Sequence, residues 1–120
     1  MATVPGVYIK TQLDPYALVV EWAGLLQNDD GEWKLLGHYN DKSLHVYGTF
    51  AGGAAVTLEG SNEDAPSDPN AVGLTDPTQT PISFTAKGLR QVLENPLRVR
   101  PKVTGGDGTT DLTVRLVLRH

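Results

Sequence analysis

Between Leu97 and Leu118 the chain alternates apolar and polar residues on both sides of a glycine-rich turn. Leu97, Val99 and Val103 alternate with Arg98, Arg100 and Lys102. A second alternating run extends from Leu112 to Leu118 and carries Arg115. A period of two puts one set of side chains on each face of a strand, so the apolar set must cover a core while the basic set meets water or a partner. The pattern predicts an antiparallel hairpin with one apolar and one basic face, built from Arg98, Arg100, Lys102, Arg115 and Arg119. No catalytic motif accompanies it.

Further strand signals precede this pair. Tyr16–Trp22 reads as a largely buried strand with Tyr16, Leu18, Val20 and Trp22 on one side, set off by Asp14-Pro15 because proline interrupts a ladder. Residues 27–31 form a polar turn, and residues 32–42 are irregular with one short strand. Leu44–Phe50 and Ala54–Gly60 both alternate, and Gly52-Gly53 between them predicts that they pair antiparallel. From Ser61 to Pro81 the composition shifts to Asp, Pro, Ser, Thr and Asn, a long surface loop broken by a short strand at 72–75. Ile82–Thr85 returns to strand character. Leu89, Val92 and Leu93 have helical spacing, which Gly88 and Asn95-Pro96 limit to about two turns. Residues 1–12 form either an N-terminal arm or a first strand.

Together these signals predict an all-β fold, a β-sandwich of jelly-roll or Greek-key type with seven to eight short strands. A small barrel is the alternative that periodicity does not separate. Val56, Leu58, Phe84, Val99, Val114 and Leu116 are the expected core. A chain of 120 residues makes one domain, and its 13 Gly and 8 Pro suit turns between strands better than a helical bundle.

The chain has no Cys, which excludes disulfides, thiolate nucleophiles and Cys-based metal sites. The N-terminal residues lack the pattern of a secretory signal and no apolar run reaches membrane-spanning length, so the expectation is a soluble protein made in the cytoplasm. The net charge of −4 hides a division: residues 1–86 hold three Lys+Arg and eleven Asp+Glu, whereas residues 87–120 hold seven and three. Such polarity lets an acidic surface of one copy face a basic surface of another copy or of a scaffold.

Groups that could carry chemistry are sparse. His38, His45 and His120 form no metal-binding spacing, and His45 alternates outward on its strand. Thr104–Asp111 fails as a calcium turn because Thr110 stands where Asp is needed, and it lacks the Lys of a phosphate loop. The acidic runs at 28–32 and 62–68 do not follow calcium-ligand spacing. A small hydrolase would need carboxylates or histidines converging in a pocket. Trp22 belongs to an apolar stripe and reads as core, while Trp33 is the better candidate for an exposed platform on which a sugar could stack. No cofactor or metal is expected. The acidic remainder of the chain opposes nucleic-acid binding by the basic face, leaving a carboxylate-bearing protein surface as the compatible partner.

Four stretches read together point to a family: Gly48-Thr49-Phe50 with Val56–Asn62, Leu74-Thr75-Asp76-Pro77, Ile82–Leu89 and Val99–Thr110. In order and spacing they resemble the capsid decoration, or cement, proteins of tailed bacteriophages. The resemblance implies a jelly-roll-like sandwich without enzymatic activity, synthesised in the host cytoplasm and carried on the capsid exterior of the virion. Many copies would bind the major capsid protein and one another as a homo-oligomer, with no role for nucleic acid or membrane. Arg98, Arg100 and Arg115, with Lys87 and Arg90 upstream, are then the candidate partner-binding residues. A tail or baseplate module and a carbohydrate-binding module are the alternatives.

Overall fold

The alternating runs do form strands, and their apolar stripes face one another across two sheets. The computed structural model describes residues 2–10, 17–36 and 39–119. Among these, the strands are β1 (Thr3–Val4), β2 (Gly6–Lys10), β3 (Leu18–Leu25), β4 (Asp30–Gly31), β5 (Lys34–Leu35), β6 (Asp41–Thr49), β7 (Ala55–Ser61), β8 (Val72–Gly73), β9 (Ser83–Phe84), β10 (Gly88–Gln91), β11 (Arg98–Thr104) and β12 (Asp111–Arg119). A single 3-10 turn, Asp68–Asn70, is the helical element among the described residues. The fold is therefore all-β, as the alternation requires.

The first sheet runs β1-β4-β11-β7-β8, with β5 also pairing β11 and β9 also pairing β7. The second is five-stranded, in the order β10-β6-β12-β3-β2. Residues opposed across antiparallel strands share a face, so register alone decides which side chains enter the core. Leu44, Val46, Leu112, Val114, Leu116, Val20 and Trp22 come from the second sheet and Val56, Leu58 and Val99 from the first, each with no exposed surface. Phe84 is buried with them, so all six expected core residues lie inside. The indole Nε1–H of Trp22 donates to the Glu32 carbonyl at 3.0 Å, which removes the cost of burying that donor.

Two expected hairpins are corrected. β6 and β7 do not pair, and neither do β11 and β12: in each case the chain crosses from one sheet to the other. β6 instead pairs β12 from Asp41↔Arg119 to Thr49↔Asp111, and β7 pairs β11 from Ala55↔Thr104 to Ser61↔Arg98. An apolar stripe on each of two consecutive strands is buried equally well on one sheet or on two facing ones, so alternation does not choose between them. The glycine turns make the crossing. Gly52 and Gly106 both have positive φ, and a Cβ on Gly52 would stand 2.6 Å from the Gly106 carbonyl carbon. The two crossovers thus pack backbone to backbone at one end of the sandwich, where Thr110 Oγ1 donates to the Ala51 carbonyl at 3.0 Å.

The helical turn expected at 89–93 is strand β10, whose pairing with β6 puts Leu89 opposite His45 and leaves Val92 buried beyond its end. The N-terminal residues 2–10 belong to the sandwich and are not an arm. β1 lies parallel to β4 in one sheet and β2 antiparallel to β3 in the other. Pro5, which has no N–H to give a ladder, marks the switch between them. Residues 11 and 12, and Tyr16 of the expected strand face, lie outside the described residues. The 61–81 excursion carries the 3-10 turn and β8, and a Thr75↔Pro81 bridge closes its far end.

Candidate functional site

The basic residues singled out in the sequence do not form one patch. Arg98 and Arg100 stand on the outer side of the first sheet, whereas Arg115 stands on the outer side of the second. The sandwich separates them, because β11 and β12 are strands of different sheets.

Arg100 is not a surface charge. Its side chain is 7% exposed: Nε donates to Glu59 Oε1 at 2.9 Å, Nη2 to Asp68 Oδ1 at 2.7 Å, and Nη1 lies 3.7 Å from Asp30 Oδ2. Its guanidinium carbon also sits 4.7 Å from the centre of the Trp33 ring. Burial works against the charge, but the bonds to Glu59 and Asp68 and the charge of Asp30 outweigh it and raise the Arg100 pKa. Trp33, the better candidate for an exposed sugar platform, is half-buried with one ring face taken by this cation. The acidic excursion therefore folds over the outer face of the first sheet and is tied there through Asp68.

The other basic residues fare differently. Arg90 pairs with Asp76 at 2.6 Å and holds the 76–81 turn to β10. Arg98 is half-buried, and its Nε has no hydrogen-bond partner among the described residues. Lys87 is exposed in the bend before β10. Arg115 lies 3.2 Å from Glu21 across β12 and β3, with its side chain 36% exposed.

What remains open to a partner is the outer face of the five-stranded sheet. Register aligns Leu89, His45, Arg115, Glu21 and Val7 in one row across all five strands, and Gln91, Ser43, Val117, Val19 and Ile9 in the next, where Val19 is buried at 3% exposure. Leu89 and Val7, at opposite edges, are 66% and 56% exposed. His45 packs against Tyr47 in the same face, ring centres 4.8 Å apart and planes tilted by 47°. Sequence reasoning missed this surface because its members come from five separate segments whose order only the topology supplies.

The carboxylates that invited a metal reading have structural tasks. Asp29 accepts the Ala2 N–H at 2.9 Å and the Leu26 N–H at 2.8 Å, fastening β1 to the 26–29 turn. Among the described residues no group of three or more His, Asp or Glu could hold a metal ion. His38 and His120 lie outside those residues.

At the end of the sandwich opposite the glycine crossovers, Lys42 points inward from β6 with no exposed surface, and its Nζ donates to Asn95 Oδ1. Burial lowers the Lys42 pKa, against the charges of Asp41 and Glu94. Glu94 accepts the Thr75 N–H at 2.8 Å and the Thr75 Oγ1–H at 2.5 Å. Glu94 and Asn95, with Gly60, Asn62, Val72, Leu74 and Pro96, line an open cleft of about 290 Å³.

No family model matches the sequence, and no curated protein matches it. The fold does match solved structures. The SPBc2 prophage-derived protein YomS superposes with a TM-score of 0.60 at 14% identity, covering 87% of this chain and 95% of that one. Hydroxypropylphosphonic acid epoxidase from S. wedmorenis aligns at 0.46 with 15% identity, 96% of this chain lying on 51% of the enzyme. Protein NMB1881 from Neisseria meningitidis aligns at 0.43 with 14% identity, over 96% and 82% of the two chains. The chain is a small two-sheet β-sandwich, and it shares that architecture with YomS across nearly the whole of both proteins.

Proposed function

We propose that this chain is a non-enzymatic structural protein of a tailed-bacteriophage particle, a decoration or cement protein that binds the outside of the major capsid shell and stabilises the head. The Gly48–Thr110 pattern and the shared fold with a prophage-derived protein support the reading. The observation that carries it is the outer face of the five-stranded sheet. A regular face five strands wide, with an exposed apolar residue at each edge and an ion pair at its centre, suits contact with another rigid protein surface. Arg115 and Glu21 meet the partner there, and Arg100 is spent internally. Further copies on the shell add effective concentration, so each contact can be weak.

Particles produced from the genome that encodes the chain, pelleted and assayed by gel densitometry, test this. The reading predicts several copies per shell and loss of occupancy when Val7 and Leu89 are both changed to Glu, since both side chains are exposed and tolerate charge without unfolding. Absence of the protein from purified particles, or full occupancy by the doubly charged variant, overturns the proposal or this choice of face.

A further inference from the structure

We propose that Lys42 and Asn95 join covalently, side chain to side chain, in an intramolecular isopeptide bond that closes the end of the sandwich. The observation is a juxtaposition unusual for a lysine. Lys42 has no exposed surface, it shares the inner face of β6 with Leu44 and Val46 and stands opposite Leu118, and its Nζ is in contact with the carboxamide of Asn95. A lysine is almost never fully buried unless paired, yet the group it touches is a neutral amide. A buried amine held against the oxygen of an exposed amide, with a carboxylate next in sequence to that amide, brings together the groups acyl transfer requires: a nucleophile, an acceptor and a proton carrier.

The carboxylate is Glu94, next to Asn95 in sequence, held by the two bonds from Thr75 and acting electrostatically on Lys42. The Lys42 ammonium gives up one proton, which reaches Glu94 across the open cleft that Glu94 and Asn95 line. The freed Nζ lone pair attacks Asn95 Cγ, forming the Nζ–Cγ bond. A second proton passes from Nζ to Nδ2, the Cγ–Nδ2 bond breaks, and ammonia leaves, taking up the proton from Glu94 as ammonium. Nothing is oxidised or reduced. Desolvation favours the neutral amine that the attack needs.

Three features of the site fit this chemistry. Asn95 is followed by Pro96, which has no backbone N–H, so cyclisation of the asparagine onto its own backbone is closed and Lys42 is the nucleophile in reach. Asn95 also lines the open cleft, which gives ammonia a way out. The bond would connect β6, in the second sheet, to the segment that carries the chain from β10 across to β11 in the first. In a chain without cysteine, it supplies the constraint on the unfolded state that a disulfide would give elsewhere.

Intact-mass measurement of the purified full chain decides the matter. The expected mass is below that of the sequence by one ammonia, about 17 Da. Trypsin should fail to cut after Lys42 and should release a branched peptide joining residues 35–87 to residues 91–98. The variants Lys42→Arg and Asn95→Ala should each show the full mass of their sequence. Glu94→Gln, which keeps an acceptor for Thr75 but no base, should purify largely unlinked, and complete linkage in it overturns the part given to Glu94. A wild-type chain of full sequence mass, cut by trypsin after Lys42, overturns the proposal without any variant.

Discussion

Arg100 Nη2 lies 2.7 Å from Asp68 Oδ1, and this contact ties the 3-10 turn of the acidic excursion to the sheet beneath it, beside the pairing of β8 with β7. The two partners stand in different surroundings: the arginine side chain is 7% exposed and the aspartate 61%. Their removal should therefore have unequal effects. Arg100→Ala leaves Glu59 and Asp30 without the cation they share, and should cost about 3–5 kcal/mol in chemical denaturation. Asp68→Ala removes a solvated partner and should cost no more than about 1 kcal/mol. Equal losses from the two variants would show that the excursion, not the buried charge, sets the stability here.

Leu116 contributes a fully buried side chain at the centre of the second sheet, opposite Leu44 on one side and Val20 on the other. Truncation to Ala should cost about 2–5 kcal/mol, because neighbours on two strands cannot collapse into the space. A thermal midpoint equal to that of the wild type would place Leu116 outside the core.

Asp76 holds the turn that leads back to β9. Its carboxylate accepts the Thr78 hydroxyl at 2.7 Å, the backbone N–H groups of Thr78 and Thr80 at 3.0 Å each, and Arg90 at 2.6 Å. These bonds, with that of the Thr78 side chain foremost, depress its pKa from 3.8 to about 2. A depressed carboxylate stabilises the fold fully above its ordinary value and loses that contribution as pH falls through the folded one. The turn should thus stay anchored at pH 4 and release on acidification towards pH 2. Carboxyl chemical shifts followed by NMR should give a midpoint near 2, and a midpoint at 3.8 would show that the bonds to Thr78 and Thr80 do not form in solution.

Gly31 is the point where β4 passes over the core. A Cβ there would stand 2.5 Å from Pro101 Cδ and 2.9 Å from Trp22 Cδ1, and both rings are held in buried positions. Gly31→Ala should cost about 1–3 kcal/mol through overpacking. Its signature is a changed Trp22 fluorescence maximum; unaltered emission and stability would mean that β4 lifts away freely.

The sequence by itself determined the class of fold and the residues of the core. Alternation along residues 44–50, 54–60 and 112–118 is enough to say that Leu58, Val56, Val114 and Leu116 go inside, because a strand has only two faces. It also placed Trp22 correctly, from the stripe that contains it. Tertiary structure alone decided which strands are neighbours. Gly52-Gly53 and Gly105-Gly106 are compatible with a tight hairpin or with a crossing between sheets, and the pairing of β6 with β12 along their full length chose the second. That choice separated Arg98 and Arg100 from Arg115 and dissolved the basic hairpin face. The fate of individual charges was likewise invisible in sequence. Arg100 falls on the outward period of its strand and Lys42 on the inward period of its own, and neither position reveals the partner that arrives from 32 and 53 positions away, Asp68 over the outer face of one sheet and Asn95 at the end of the other. A one-dimensional period records which side a residue faces, whereas burial of a charge depends on what the rest of the chain lays against that side.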